Sequence, residues 1–319
     1  MTRLILVLLG FLAFAAASPA QAQSCGFSVT AVPFGAVDTL SGSADSTGAG
    51  VIISCAGAPF GAQARACLNI NAGSGGASGA TRLMRNAANA PLQFQLYQDV
   101  GFSVPFGSVE QTQFGQPGAV DLTLPSGGGL VSTTRFFGGL VLASQQTAAT
   151  GSYSSTFSGA QVRFNYVIYI SGAAPACATM TANPLRPTFT VTATVAANCL
   201  MTAQNLNFGS NGVLDAAVNA NGAVNALCTP GTTFAVGLNG GLSSGTPTAR
   251  QMTGPGLPIV YGLYRDAART LPWGDDPGNR EPGSGSGAQQ TLPVYGRVPA
   301  QSTPTPGLYS DTVVATIRY

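Results

Sequence analysis

The sequence LYSDTVVATIRY, residues 308–319, closes the chain of 319 residues and points most directly to its fold class. Apolar and polar side chains alternate along it, as they do in a strand with one buried face. Nothing follows to pair with the free N–H and C=O groups of this strand, and such an edge is a template for a strand from a partner. We therefore expect an acceptor edge that comprises Tyr309, Val313, Ala315, Ile317 and Tyr319.

The chain repeats one module. Cys25, Pro33-Phe34-Gly35 and Cys55 recur in the same order as Cys199, Asn207-Phe208-Gly209 and Cys228. Further matches follow in the same order: Ile70-Asn71-Ala72-Gly73 with Leu238-Asn239-Gly240-Gly241, Arg82-Leu83-Met84 with Arg250-Gln251-Met252, Leu96-Tyr97-Gln98-Asp99 with Leu263-Tyr264-Arg265-Asp266, Pro105-Phe106-Gly107 with Pro272-Trp273-Gly274, and Gly151-Ser152-Tyr153-Ser154 with Gly307-Leu308-Tyr309-Ser310. This order predicts two copies of one domain of about 130 to 150 residues. The predicted boundaries are 1–22 for a signal peptide, 23–183 for the N-terminal domain and 184–319 for the C-terminal domain.

The beginning of the sequence predicts export. Arg3, an apolar run over residues 4–17 and the small-x-small site Ala20-Gln21-Ala22 form the pattern of a secretory signal. The run is shorter than the about 20 residues that a membrane-spanning helix needs. Six cysteines in an exported chain are most simply three disulfides. The repeat assigns Cys25 to Cys55 and Cys199 to Cys228, and Cys67 and Cys177 are left to pair with each other.

The composition limits the chemistry. The sequence has no His and no Lys, so that Ser-His-Asp systems, imidazole metal sites and Schiff bases are excluded. A net charge of +2 gives no reason to expect nucleic acid as a partner. Asp275-Asp276-Pro277-Gly278-Asn279 with Glu281 lacks the spacing of an EF-hand and is typical of a turn. We expect no enzyme, no cofactor and no metal site.

An all-β fold is predicted from 42 Gly, 21 Pro and only 8% charged residues. Strand-like runs separated by turn residues are typical of two tandem immunoglobulin-like β-sandwiches, the C-terminal one missing its last strand. Residues 153–170 resemble the closing stretch, but there the chain continues. Residues 171–175 can turn and residues 177–182 can return as a seventh strand, while residues 188–195 are expected to open the second domain.

The second copy resembles a known family, the spore coat protein U domain. The resemblance rests on these residues: Cys199, Phe208-Gly209, Cys228-Thr229, Arg250-x-Met252, Tyr261-x-Leu263-Tyr264-x-Asp266, Trp273-Gly274, Tyr295-Gly296 and Gly307-x-Tyr309-x-Asp311. The first copy keeps this skeleton, but Phe106 replaces the Trp and Ser155 stands where Asp311 does. Trp273 is expected in the core, because both copies place an aromatic residue there.

The resemblance implies a subunit of an archaic chaperone-usher pilus. In that family a periplasmic chaperone, and later the adjacent pilin subunit, supplies the missing strand, and an outer-membrane usher assembles the fibre. Only Gln23 and Ser24 would precede Cys25 after signal cleavage, so the chain is expected to accept a strand and donate none. That implies a tip adhesin, exported through the periplasm to the cell surface, that attaches to abiotic or host surfaces and supports biofilm formation. A secreted spore-coat or fibre protein and a carbohydrate-active enzyme are the alternatives.

Adhesion is expected at the end of the first domain farthest from the second. The loop after the second strand and the long segment 100–131 are expected there, since alternate loops of such a fold share an end. Apolar residues with few charges nearby would bind hydrophobic surfaces by burying area from water. The candidates are Pro59, Phe60, Phe102, Val104, Phe114 and Leu130. The alternative is that these residues pack the loops onto the sandwich.

Overall fold

The computed structural model describes residues 23–57, 61–125 and 128–319. The predicted signal peptide, Pro59 and Phe60 lie outside the described residues. The described ranges contain twenty strands and three short 3-10 helices, which confirms the predicted all-β class. None of these helices is long and apolar enough to cross a membrane.

Twelve strands surround the first hydrophobic core. They are β1 (Ser24–Val29), β2 (Val32–Val37), β3 (Asp45–Ala56), β4 (Gln63–Ile70), β5 (Ala77–Ser78), β6 (Thr81–Arg85), β7 (Pro91–Tyr97), β8 (Gly118–Thr123), β9 (Val131–Val141), β10 (Gly151–Phe157), β11 (Val162–Tyr169) and β12 (Phe189–Val195). One sheet has the order β1-β3-β9-β7-β6-β10-β12-β2 with β5 beside β6, and the other has the order β11-β4-β8.

Eight strands surround the second core. They are β13 (Cys199–Ala203), β14 (Val218–Cys228), β15 (Thr233–Leu238), β16 (Arg250–Met252), β17 (Ile259–Tyr264), β18 (Glu281–Ser284), β19 (Gln289–Val298) and β20 (Ala315–Arg318). The sheet orders are β13-β14-β19-β17-β16 and β18-β15-β20. The strand β20 therefore has β15 as its only sheet partner within the described part of the chain.

The three predicted disulfides are confirmed: Cys25–Cys55, Cys67–Cys177 and Cys199–Cys228. The first and third join residues that lie directly opposite each other on neighbouring antiparallel strands. Trp273 is fully buried, as predicted, and its indole N–H donates to the Val236 carbonyl at 2.8 Å.

The predictions for two segments are wrong. Residues 188–195 do not open the second domain, because β12 pairs antiparallel with β10 and parallel with β2 in the first sheet. Residues 177–182 form no strand, and residues 177–179 form a turn. The last strand of the first domain is therefore β12, and the chain reaches the second domain only after Val195.

The residues between Cys177 and β12 explain the error. They do return beside β11, since Leu185 and Phe164 exchange backbone hydrogen bonds of 2.7 and 2.8 Å. Pro184 and Pro187 have no N–H to donate to a ladder, and each restricts the residue before it. Regular pairing therefore starts only after the second proline, opposite β10.

The chain passes directly from one domain to the next through residues 196–198. Asn198 Nδ2 donates to Asp38 Oδ2 at 2.9 Å. The Thr150 N–H donates to the Pro230 carbonyl, also at 2.9 Å. The two domains thus contact each other beside the connecting segment.

Candidate acceptor groove

The repeated motifs occupy equivalent positions in the two domains. Ser154 forms a bridge with Arg85 in the first domain, and Ser310 forms the matching bridge with Thr253 in the second. The hydroxyl group of Tyr153 donates to the carbonyl four residues before it at 2.9 Å, and that of Tyr309 does the same at 2.8 Å. Residues 307–313 of the second domain therefore correspond to β10.

A second correspondence concerns the segment after the first strand. Phe34 lies edge-on to Phe94 with ring centroids 6.4 Å apart, and Phe208 lies edge-on to Tyr261 at 6.0 Å. The glycine after each phenylalanine has a positive φ, +73° at Gly35 and +78° at Gly209. Residues 206–209 therefore correspond to the first half of β2.

In the first domain the space between these two segments is filled by β12. Seven residues of β12 pair with β10, from Phe189 opposite Phe157 to Val195 opposite Gly151. Phe189, Val191, Ala193 and Val195 are buried in the core, while the threonines between them are exposed or half-buried. The alternating sequence FTVTATV thus supplies one complete strand to the sandwich.

In the second domain the equivalent space is an open cavity of about 980 Å³. One wall is formed by residues 203–212 and the other by residues 303–311, and Val224, Tyr261 and Val294 are among the residues beneath them. No described strand lies between the two walls. We call this cavity the acceptor groove.

The open groove leaves apolar side chains incompletely covered. Val32 is fully buried beside β12, whereas its counterpart Leu206 is half-buried. Tyr153 is 1% exposed, whereas Tyr309 is half-buried. The exposure differs because β12 covers Val32 and Tyr153, whereas no described residue covers Leu206 and Tyr309 in the same way.

The structure brings three of the five predicted edge residues to the groove. Tyr309, Val313 and Ala315 line it. Ile317 instead packs against the second core from β20, and Tyr319 is 59% exposed, with its hydroxyl 3.3 Å from Asn198 Oδ1 near the first domain. The opposite wall, residues 206–209, was not predicted. The match between Phe34-Gly35 and Phe208-Gly209 was the signal that could have found it.

Asp311 is fixed by three hydrogen bonds at the groove. Its carboxylate accepts from the N–H groups of Leu242 and Thr312, each at 2.8 Å, and from the Tyr261 hydroxyl at 2.6 Å. Burial, together with the hydrogen bond to Asp311, raises the pKa of the Tyr261 hydroxyl above its ordinary value. Tyr261 therefore remains a donor at neutral pH, and the carboxylate is held against the turn at residues 239–242.

A buried arginine supports the same region in each domain. Arg82 is fully buried and donates to the carbonyls of Ile70, Asn71 and Phe106, and Arg250 donates in the same way to Leu238, Asn239 and Trp273. Burial lowers the pKa of the Arg82 guanidinium to about 9 and also lowers that of Arg250. Each guanidinium group thus supplies hydrogen bonds to three backbone carbonyl groups beside its core.

The predicted adhesion residues are scattered. Phe114 is 1% exposed with its ring 4.3 Å from the Arg82 guanidinium, so the expectation that it lies on a surface is wrong. Phe102 is half-buried and lies edge-on to Tyr97 at 5.7 Å over the sheet. Val104 and Leu130 are exposed. The alternative was that these residues pack the loops onto the sheets. For Phe114 this alternative is correct, because its ring is buried against Arg82.

The end of the first domain opposite the second domain is defined by strand register. Ala56, Val131 and Tyr169 lie there, at the ends of β3, β9 and β11, and Gln63 of β4 is paired with Tyr169. The exposed side chains at this end include Leu130 at 70% and Ile170 at 65%. The long segment after β7 reaches it only through its last residues.

The acidic turn has a structural role. Arg318 of β20 donates to Asp275 Oδ2 at 2.8 Å, and Arg280 lies 3.4 Å from Asp275 Oδ1. Within the described ranges no group of three or more His, Cys, Asp or Glu residues could hold a metal ion. Asp275 therefore ties the last strand to the turn before β18.

Two comparisons concern sequence. Residues 12–159 and 186–316 match the model of the Spore Coat Protein U domain family. Protein U of Myxococcus xanthus is 32% identical over 127 residues, in an alignment that covers 36% of this chain and 71% of that protein. The second matched segment begins before β12, although β12 is part of the first sheet.

The comparison with solved structures finds two pilus tip proteins, of which the first has a similar fold. One is the CsuC–CsuE chaperone–tip adhesion subunit pre-assembly complex from archaic chaperone-usher Csu pili of Acinetobacter baumannii, with a TM-score of 0.50, 15% identity, and coverage of 93% of this chain and 100% of that one. The other is the CupB6 tip adhesin of Pseudomonas aeruginosa, with a TM-score of 0.36, 12% identity, and coverage of 93% and 95%. From its family-model match over two segments, this chain belongs to the Spore Coat Protein U domain family and carries that domain twice.

Proposed function

We propose that this protein is the adhesive tip subunit of a chaperone-usher pilus and that its C-terminal domain accepts a strand from a partner. The observation that carries the proposal is the contrast between β12, which completes the first domain, and the acceptor groove at the same place in the second. An open apolar groove flanked by strand-like edges binds an added strand. The similar fold of a tip subunit crystallised with its chaperone supports this reading.

In this proposal each domain has its own task. A periplasmic chaperone fills the acceptor groove before assembly, an outer-membrane usher receives the complex, and a strand of the adjacent pilin subunit then replaces the chaperone. The N-terminal domain, complete through Val195, is exposed at the pilus tip and attaches the cell to abiotic or host surfaces during biofilm formation. We place the boundary between the domains in residues 196–198.

The groove is tested by one substitution with a matched control. Val313→Asp places a charge in the acceptor groove, whereas Val314→Asp changes the neighbouring residue, which is exposed. Full-length chain is produced in the periplasm together with a periplasmic pilus chaperone from the same genome. Val313→Asp should abolish co-purification of the chaperone, and Val314→Asp should leave it at the level of the unchanged chain. Full-length chain that is monodisperse without any chaperone, and equally so with Val313→Asp, would contradict the proposal.

Attachment is tested at the far end of the first domain. Leu130→Ser and Ile170→Ser together should reduce the attachment of piliated cells to plastic, because both side chains are exposed at that end. Val100→Ser is the control, since Val100 is equally exposed but lies in the segment after β7. Unchanged attachment with normal piliation would rule out these two residues.

The alternative function is a secreted spore-coat or fibre protein. The match to the Spore Coat Protein U domain family is the observation that favours it. A coat protein requires neither a chaperone nor an usher. Deletion of the periplasmic pilus chaperone gene of the same genome therefore separates the two functions, because it should leave a coat protein at its normal level and remove a pilus subunit.

A further inference from the structure

We propose that β12 specifies, residue by residue, the strand that the acceptor groove takes, and that Tyr309 selects a small side chain at one position of that strand. The inference rests on the proposed function, since it assumes that the groove receives a strand. It goes further by stating the direction, the register and the side-chain sizes of the occupant.

In the first domain, side chains that face each other across β10 and β12 have complementary sizes. Four inward-facing rows connect the two strands: Phe157 with Phe189, Ser155 with Val191, Tyr153 with Ala193, and Gly151 with Val195. The two phenylalanine rings stack at 4.5 Å with an angle of 4°. The small Ser155 and Gly151 face valines, whereas the large Tyr153 faces alanine. Directly opposed side chains are close enough for this matching to matter.

The second domain has the residues equivalent to β10, but no described strand lies where β12 would face them. By the shared bridge and tyrosine hydrogen bond, Val313, Asp311, Tyr309 and Gly307 stand where Phe157, Ser155, Tyr153 and Gly151 stand. The occupant should therefore run antiparallel to residues 307–313 and parallel to residues 206–209, as β12 does beside β10 and β2.

Tyr309 cannot move aside for a larger neighbour. Its hydroxyl donates to the Thr305 carbonyl at 2.8 Å and accepts from the Gly256 N–H at 3.0 Å. A Cβ atom at Gly254 would lie 2.6 Å from Tyr309 Cδ1, so the backbone already touches the ring from the other side. The position opposite Tyr309 therefore takes Ala or Gly, as Ala193 does opposite Tyr153.

Val313 and Asp311 favour other side chains in the occupant than Tyr309 does. Val313 is smaller than Phe157, so the first position of the occupant has room for a large apolar or aromatic side chain. Asp311 already accepts hydrogen bonds from Leu242, Thr312 and Tyr261, so its carboxylate needs no donor from the occupant. The third position therefore takes an apolar side chain such as valine, as Val191 does opposite Ser155. The partner is thus an extended segment of the pattern large-x-Val-x-Ala-x-Val with polar residues between.

The test uses the full chain with its own strand repeated at the end. Tyr319 stands where Tyr166 stands in the first domain, because Leu238 and Ile70 are equivalent and the β15–β20 and β4–β11 pairings keep the same register. A copy of residues 167–195, with Cys177→Ser, is therefore appended after Tyr319. The appended strand should enter the acceptor groove, and the urea midpoint of the second domain, followed by Trp273 fluorescence, should rise by about 1 M.

Two variants of the appended copy test the size rule, with native β12 unchanged. Ala193→Leu in the copy should reduce the rise in midpoint to less than about 0.3 M, because leucine would collide with Tyr309. Thr194→Leu in the copy adds a similar volume at an outward position and should keep the full rise. This pair of results would support the inference.

Other outcomes overturn it and separate it from the proposed function. Equal rises with alanine and leucine would mean that the groove accepts a strand but that Tyr309 selects nothing. No rise with any copy, while the chaperone still co-purifies with the full chain, would mean that β12 gives the wrong pattern although the groove accepts a strand. No rise and no chaperone binding would remove both the inference and the proposed function.

Discussion

Tyr153 and Tyr309 hold the same place in two copies of one domain, make the same hydrogen bond, and differ in what covers them. The first lies beneath β12 and is buried, whereas the second faces the open acceptor groove. The domains share their first disulfide, their buried arginine and their aromatic core position. What differs is the space beside Tyr153 and Tyr309, which β12 fills in the first domain and which is open in the second. A single strand therefore decides whether this fold is closed or open.

The stabilising free energy that β12 gives the first domain follows from the burial of its side chains. Phe189, Val191 and Val195 are almost fully buried. Each such side chain contributes roughly 1.5 to 3 kcal/mol when it leaves water. The first domain has this contribution within its own chain. Under the proposed function, the second domain gains the equivalent when a partner strand enters the acceptor groove.

The largest effect is expected from the disulfide that only the first domain has. Cys67→Ala combined with Cys177→Ala opens a loop of 110 residues and should reduce the free energy of unfolding of the first domain by about 4 to 5 kcal/mol. Hydrogen exchange of β3 and β9 should report the loss. Trp273 fluorescence, which reports the second domain, should keep its midpoint. An unchanged exchange rate in β9 would mean that the first domain does not depend on this bridge.

The next effect concerns β12 itself. Val191→Asp places an unpaired charge in the first core and should cost about 3 to 5 kcal/mol, which would give the first domain an unfilled groove like that of the second. The control Thr192→Asp is exposed on the same strand and should change stability by no more than about 0.5 kcal/mol. Urea unfolding monitored by hydrogen exchange distinguishes them. Equal effects of the two variants would mean that β12 is not inserted between β10 and β2.

The third effect is the loss of stability on truncating Val32 in β2, compared with truncating its counterpart Leu206 in the wall of the acceptor groove. Val32→Ala removes methyl groups from a fully buried site and should cost about 2 kcal/mol. Leu206→Ala removes more atoms but from a half-buried site, and should cost less than about 1 kcal/mol in the free chain. With the groove filled by an appended strand, the cost of Leu206→Ala should rise. A larger cost for Leu206→Ala in the free chain would show that the groove is already closed.

The smallest effect concerns the tyrosine hydroxyls. Tyr153→Phe removes a buried hydrogen bond to the Ala149 carbonyl and should cost about 1 kcal/mol. Tyr309→Phe removes the equivalent bond to the Thr305 carbonyl and the bond from the Gly256 N–H, both at a site open to water, and should cost about 0.5 kcal/mol or less. Urea midpoints of each domain measure both. A reversal of the order would mean that Tyr309 is more strongly constrained than Tyr153.

The sequence was sufficient for the features that depend on local pattern and on repetition. The ordered repeat gave the two modules, and with the cysteine count it gave all three disulfides. Alternating residues near Tyr309 predicted an acceptor edge; Tyr309, Val313 and Ala315 line the groove, and their role in accepting a strand stays a prediction. Burial of Phe114 was missed, because an apolar residue in a long loop has no periodicity that tells core from surface.

By itself the sequence determined that this chain is two copies of one all-β module, since repeats, spacing and alternation are properties of neighbouring residues. Only the tertiary structure decided where β12 belongs. The segment FTVTATV has the same strand pattern whether it opens the second domain or closes the first, because alternation defines a buried face and not a partner. Long-range contacts make the choice: β12 pairs with both β10 and β2, and Phe189 stacks on Phe157. The two prolines before β12 keep the strand from starting earlier in the chain.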